Sequence, residues 1–388
     1  MNNVILLGLV SFFADLSTEM VYPLIPLYLT TVFGVTPALI GLIEGIAESL
    51  ASLLKVFSGY ASDKYRRKKP LAFFGYAMGL VYKLALILAG SWGGVLAARV
   101  LDRFGKGIRT APRDVLVNES SDPAKLGHSF GIHKAMDMAG SAAGILAAFV
   151  IMKAWQGEYA YKRLFLLSCI PAVFSLIMFA FIKETGKKRD PKAPLPIFSG
   201  LKNLDGRLKL YLVVVFLFTL GNSSNTFLLL KAGNVGFDPA TVVLLYFLYN
   251  IVSSLMAIPF GRLSDRLGRK TLLVSGYLTF AVVYGLFAWA PNKGSIVFAF
   301  ALYGFFTAMT AGVERAVISE IAPKELKGTM LGLHSTIVGV ALLPASVIAG
   351  FLWTAFGAMV PFAFGSTLSF AAAVILIFGL SQKKAALA

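Results

Sequence analysis

The chain has 388 residues, 57% of them hydrophobic and only 14% charged, with a mean hydropathy of +0.76. No water-soluble domain of this size needs so much apolar surface, so a polytopic membrane protein is expected. The formal charge of +17 sits largely in short loops between apolar runs, the pattern of membrane topology and not of nucleic-acid binding.

Twelve runs are long enough to span a bilayer: 4–30, 37–61, 70–90, 93–117, 126–153, 161–182, 209–230, 239–261, 271–290, 294–321, 329–354 and 358–380. The first carries Asp15 and Glu19 and lacks a basic leader, so it is expected to be a span and not a cleavable signal. A lone Cys169 inside an apolar run leaves no disulfide framework and no cysteine metal cluster. Between runs six and seven lies KETGKKRDPKAPLPIFSGLKNLDGRL, basic and Pro/Gly-containing, which reads as a linker. The expected organisation is an amino-terminal six-helix bundle (1–182), a cytoplasmic linker (183–208) and a carboxy-terminal bundle (209–388).

Lysine and arginine set the orientation. Lys64, Arg66, Arg67, Lys68 and Lys69 follow run two, Arg262, Arg266, Arg269 and Lys270 follow run eight, and Lys383 and Lys384 lie in the tail. The opposite loops hold only Lys153, Lys162, Arg163, Lys231 and Lys293. Both termini and the linker are therefore expected in the cytoplasm, with the chain in a bacterial inner membrane.

The fourth run is different in kind. Arg99, Asp102, Arg103, Lys106, Arg109, Arg113 and Asp114 recur at helical spacing and fall on an arc of roughly 140°. Val100, Leu101, Phe104 and Ile108 take the other side. Each of those charges facing lipid at mid-membrane would cost about 2.5–3.5 kcal/mol. Such a face must line a polar cavity inside the protein.

The two halves are copies. Gly34 and Pro37 match Gly236 and Pro239, and Gly59, Asp63 and Arg67 match Gly261, Asp265 and Arg269, each at an offset of 202 (236 less 34, 261 less 59). Gly127, Gly131 and His133 match Gly328, Gly332 and His334 at 201. Six helices per copy insert in the same orientation, a parallel repeat that can rock about a site between its halves.

GYASDKYRRKK (59–69) and GRLSDRLGRK (261–270) resemble the signature loop of the major facilitator superfamily, the first with Arg66 where the pattern has Gly. The resemblance implies a transporter of twelve helices around a central cavity lined by helices 1, 4, 7 and 10. It also implies that Asp63 and Asp265, with Arg67 and Arg269, gate the cytoplasmic side. Arg103 followed by Gly107 resembles the helix-4 pattern of proton-coupled exporters, whereas run five has Gly140 and Gly144 without the Pro of theirs.

Asp15 and Glu19 stand one turn apart on one face, as do Glu44 and Glu48. Counting from helix ends puts Asp15, Glu48, Arg103, Lys106 and Asp137 at one depth, with Glu19, Glu44 and Arg99 slightly further out. These charges could simply pair and hold the bundle together. Yet the repeat places Ala301, Phe305 and Ala308 where the first half has Arg99, Arg103 and Lys106, and Tyr246 and Asn250 opposite Glu44 and Glu48. The fold position does not require charge, so a functional reason is favoured.

Burial makes a carboxylate hold its proton and a nearby arginine loosens it, so a mixed cluster suits proton coupling. Asp15, Glu19, Glu48 and Asp137 are the expected proton carriers. Glu44, Arg99, Asp102, Arg103 and Lys106, with Asn222 and Asn225 of the polar run Asn222–Asn225, are the expected substrate contacts. Glu314 and Arg315, toward the cytoplasm in run ten, read as a gate pair. The positive face of run four suits an anionic substrate, and the acid pairs would suit a cation.

The expected function is proton-coupled export of a small, charged solute by a monomer in the lipid bilayer. The alternatives are uptake of an organic anion or efflux of an inorganic cation through Asp15, Glu19, Glu44 and Glu48. There is no His-Glu-x-x-His, Gly-x-Ser-x-Gly or phosphate-binding loop, so neither an enzyme nor ATP-driven transport is expected, and no cofactor. Three histidines and one cysteine leave no soft-metal site. Single cysteines introduced at 183–208 should resist impermeant thiol reagents added outside the cell, while those at 155–160 react; outside labelling of the linker would reverse the orientation.

Overall fold

A computed structural model describes residues 3–65, 68–121, 126–155, 157–183, 206–310, 312–321 and 327–379. Every element among them is helical. We number the spans α1 (Asn3–Phe33), α2 (Pro37–Tyr65), α3 (Lys68–Leu88), α4 (Trp92–Glu119), α5 (Leu126–Ala154) and α6 (Glu158–Ala180). The second half has α7 (Gly206–Asn234), α8 (Pro239–Leu267), α9 (Arg269–Trp289), α10 (Lys293–Thr310 and Val313–Ile321), α11 (Lys327–Phe356) and α12 (Val360–Gly379). Eleven of them contain a stretch long and apolar enough to cross a membrane. The twelfth, α4, is excluded only by its charges, although its 28 residues would reach about 42 Å. The chain is thus a multi-pass membrane protein of two six-helix bundles.

Three helices are broken, each for a local reason. In α1 the run Tyr22-Pro23-Leu24-Ile25-Pro26 gives a 3-10 turn at Tyr22–Leu24 between Asn3–Val21 and Ile25–Phe33. A proline removes an N–H and crowds the carbonyl four residues back, so two of them three apart end one helix and start another. In α7, Gly206–Gly221 stops before Asn222, Ser223, Ser224 and Asn225 and resumes at Thr226. Short polar side chains there compete for the backbone's hydrogen bonds. Ser224 N–H donates to Ser346 Oγ of α11 (3.4 Å) and Thr226 N–H to Ser224 Oγ (3.3 Å). α10 pauses between Thr310 and Val313, beside Gly312.

The halves meet along α2 and α11, along α5 and α8, and where α1 approaches α7 near Leu27 and Gly233. The α2–α11 seam is built on small residues: a Cβ on Gly41 would strike Ser346 O, and one on Gly350 would strike Pro37 O. Its outer end is tied by Ala38 N–H donating to Thr354 Oγ1 (3.0 Å). Within the first half, Gly140 and Gly144 let α5 lie on the backbone of α1 at Phe12 and Leu16. Gly140→Val should therefore push α1 from α5 and cost about 1–3 kcal/mol. The thermal midpoint of the purified protein should fall by several degrees; an unchanged midpoint would show that the two helices can separate freely.

Candidate functional site

The charged face of α4 does not stand alone in the bundle. Arg99 donates from Nε to Glu44 Oε1 (3.0 Å) and from Nη2 to both oxygens of Glu44 (2.7 and 2.6 Å), and both side chains are 1% exposed. One turn on, Arg103 Nη2 lies 2.9 Å from Glu48 Oε1. The approach is off the N–H direction, so Nη2 and Nε of Arg103 stay buried without a hydrogen bond. Asp102 sits between the two guanidiniums, its Oδ2 3.8 Å from Arg99 Nη1 and 3.7 Å from Arg103 Nε. Both guanidinium carbons are 5.2 Å from the ring of Tyr22, which the break in α1 carries to this point.

On the far side of Tyr22 and Glu48 is a cavity of about 330 Å³. The second half builds most of its wall. The unwound part of α7 contributes Asn222, Ser223, Ser224 and Asn225, and α10 contributes Tyr303, Phe306, Thr307, Thr310 and Glu314. Tyr303, Phe306, Thr307 and Thr310 share one face of the first piece of α10, and Glu314 stands in its second piece. Tyr303 donates its hydroxyl to Asn225 Oδ1 (2.6 Å), and Asn225 Nδ2 donates to Tyr249 Oη (3.3 Å). Glu314 Oε1 accepts from the hydroxyl of Tyr277 (3.3 Å), and His334 Nε2 is 3.9 Å from its other oxygen.

A second constellation lies deeper in the first half. Asp15 of α1 and Asp137 of α5 face each other. Two carboxylates side by side repel, and a single proton between them relieves that repulsion. Lys134 Nζ, mostly exposed, donates to Asp137 Oδ2 (2.9 Å). Glu19, one turn from Asp15, faces Tyr246 of α8 in the other half, with Lys106 and Arg103 nearby. Its Oε2 is buried without a hydrogen bond. Lys106 is exposed and, among the described residues, forms no ion pair. Asp15, Glu19, Glu44 and Glu48 do not converge, since Glu44 and Glu48 are spent on arginines. Among the described residues no three Asp, Glu, His or Cys side chains gather as a metal would need.

Of the residues expected at the gate, Arg269 Nη1 donates to Ala316 O (3.1 Å) and lies 3.4 Å from Glu320 Oε2. Asp265 is exposed, and Glu314 lies on the cavity wall. Arg67 and the side chains of Asp63 and Arg315 lie outside the described residues, as do 184–205 of the linker. His133 and His334, matched in the repeat, have different partners: His133 Nε2 is 2.9 Å from Ser11 Oγ, whereas His334 faces Glu314.

Sequence reasoning passed over Tyr22, Tyr249 and Tyr303 on the cavity wall, and Lys83, 1% exposed on α3 with its ammonium on Gly79 O (3.0 Å). For Tyr22 a signal existed, because two prolines interrupt an otherwise apolar span right behind it. Tyrosine in an apolar run carries no such flag.

The Major Facilitator Superfamily model matches residues 7–232 and 210–387. The chain belongs to that superfamily. An uncharacterised MFS-type transporter of Methanocaldococcus jannaschii is 38% identical over 382 residues, 97% of this chain and 94% of its own. The fosmidomycin resistance protein of Escherichia coli is 26% identical over 305 residues, covering 76% and 74%. Among solved structures, the nucleoside transporter NupG superposes with a TM-score of 0.80 over 97% of this chain and 98% of its own, at 12% identity. This MFS protein is therefore a transporter and not an enzyme, and moves its solute by alternating access of two bundles.

The buried ladder sets a stability test. Glu44→Gln should leave Arg99 charged inside the bundle with only Asp102, 3.8 Å away, as a carboxylate partner, at up to about 3–5 kcal/mol, whereas Glu44→Gln combined with Arg99→Gln should regain most of that loss. Thermal unfolding of the two purified variants measures it; equal destabilisation by both would mean that the pair is not the coupled unit.

Proposed function

We propose that this transporter exports a small organic solute in exchange for protons. The cavity beside Tyr22 and Glu48 is the substrate seat, and Asp15 with Asp137 is the proton-carrying pair. The observation that carries this reading is that these two carboxyl groups face each other from α1 and α5, where two full charges would repel and one proton relieves them. Asp137 rides on α5, which packs on α1 in its own half and on α8 in the other. A rocking motion between the halves therefore changes the surroundings of the pair, loading the proton from one side and releasing it to the other. Glu19, facing Tyr246 across the same seam, and Glu48, against Arg103, are the next groups able to feel that motion.

Export in place of uptake is supported by Arg103 with Gly107 in α4 and by the E. coli relative, a resistance protein by name. Within this reading the linker 183–208 joins bundles 1–182 and 209–388 on the cytoplasmic side, and the chain acts as a monomer. Asp63, Arg67 and Asp265 belong to the cytoplasmic gate. Arg269 joins them by holding the last piece of α10 through Ala316 and Glu320.

The test is flux into proteoliposomes under an imposed pH gradient. Asp15→Asn and Asp137→Asn should each abolish gradient-driven accumulation while substrate exchange at equal pH persists, because an amide keeps the size and cannot carry the proton. Undiminished gradient dependence in both variants would overturn the coupling role of the pair.

A further inference from the structure

The positive face of α4 points, read alone, to an anionic substrate, but the cavity does not meet those charges. Arg99 is sealed by Glu44, and Arg103 lies behind Glu48 and the ring of Tyr22. The wall itself carries two carboxylates, Glu48 and Glu314, and among the described residues no lysine, arginine or histidine. Lys106 faces Glu19 and Glu48 but is not part of the wall.

The neutral part of the wall has the same preference. Tyr249, Tyr303 and Phe306 form a run of rings with centroids 5.3 and 5.4 Å apart. Ring faces are negative and attract cations. Tyr303 has already given its proton to Asn225, so toward a ligand its oxygen can only accept. An anion placed here would meet the Glu314 carboxylate, the carboxylate side of the Glu48–Arg103 pair and the ring faces, in a site where low dielectric strengthens each repulsion.

We propose that the cavity binds an organic cation, an aromatic or branched apolar body bearing a quaternary or protonated nitrogen, with the nitrogen toward Glu314 and the body against Tyr249, Tyr303 and Phe306. A volume of about 330 Å³ stands at the small end of ligand pockets and suits a single ring with a small ammonium head. This rests on the cavity being the substrate seat and is independent of which carboxyl group carries the proton.

The experiment uses the full chain, purified in nanodiscs at one fixed pH. Binding is measured calorimetrically for three probes of one shape class: benzyltrimethylammonium, its uncharged isostere neopentylbenzene, and phenylacetate. The cation should bind at least about tenfold more tightly than the isostere, and phenylacetate should not saturate. Glu314→Gln should remove most of the cation's advantage and leave the isostere unchanged. Thr307→Lys, on the same face of α10, should abolish cation binding and admit phenylacetate. The second variant keeps the test sharp if Glu314→Gln unfolds. Phenylacetate binding as well as the cation, the cation failing to saturate, or cation binding indifferent to both substitutions would each overturn the proposal. Because no gradient is applied, a wrong proton assignment would leave these results untouched and show only in the flux of the Asp15 and Asp137 variants.

Discussion

A guanidinium in the middle of a membrane protein can stay charged only if something beside it repays the lost water, and in this chain Glu44 does so for Arg99. Three donor contacts of 2.6–3.0 Å to one carboxylate satisfy most of the fork, and neither side chain is open to water. Much follows from this pair. It lets α4, too charged to cross a bilayer alone, stand inside the bundle against α2. It also places Arg103, one turn on, opposite Glu48, so that Asp102 is caught between two arginines with Oδ2 making no hydrogen bond. The ladder is thus complete at Arg99 and incomplete at Arg103, and the incomplete rung is the one that borders the cavity.

The repeat makes the same point from the other direction. The break in α1 at Tyr22 and the break in α7 at Ser224 stand one repeat apart, since 22 plus 202 is 224. One is produced by prolines and the other by a run of short polar side chains, so different local chemistry opens the same place in both copies. Discontinuous helices at matched positions are how transporters of this architecture expose polar groups at mid-membrane. Beyond that the copies part: the first keeps its charge paired at the wall, while the second lines the cavity with amides, hydroxyls, rings and the single carboxylate of Glu314. The two sides of the cavity are therefore chemically unlike, although the fold that holds them is symmetric.

The fold was legible because its signals are long-range and additive. Twelve apolar runs, a register held over a hundred residues and a doubled loop each survive errors of a few positions, and the structure moves most run ends by only a few residues. Pairing was less legible. Depth counting places Arg103 level with Glu48 and with Asp137 alike, and only packing decides that Arg103 turns to Glu48 while Asp137 turns to Asp15 and Lys134. Net charge on α4 left the sign of the substrate open for a related reason: a helix face carries its own charges in sequence, whereas the neutralising carboxylates belong to α2. Tyr249 and Tyr303 of the wall left no trace because aromatic residues are common in lipid-facing and core positions as well.

One face of α1 ties these parts together. Asp15, Glu19 and Tyr22 follow at spacings of four and three, a single stripe about 10 Å long. Its first member faces Asp137, its second faces Tyr246 in the other half, and its third forms the wall between the arginines and the cavity. Gly140 and Gly144 hold α5 on the backbone of this same helix, so the helix bearing Asp137 cannot shift without moving α1. A change of charge at the carboxyl pair and a change of shape at the cavity are thus carried by one short, rigid element that contacts both halves. The proposed coupling between proton and substrate needs no longer path than this stripe, provided that the break at Tyr22 transmits rotation of the helix before it. The prolines supply the stiffness for that, because a fixed φ at Pro23 and Pro26 holds the turn where a glycine would let it swivel.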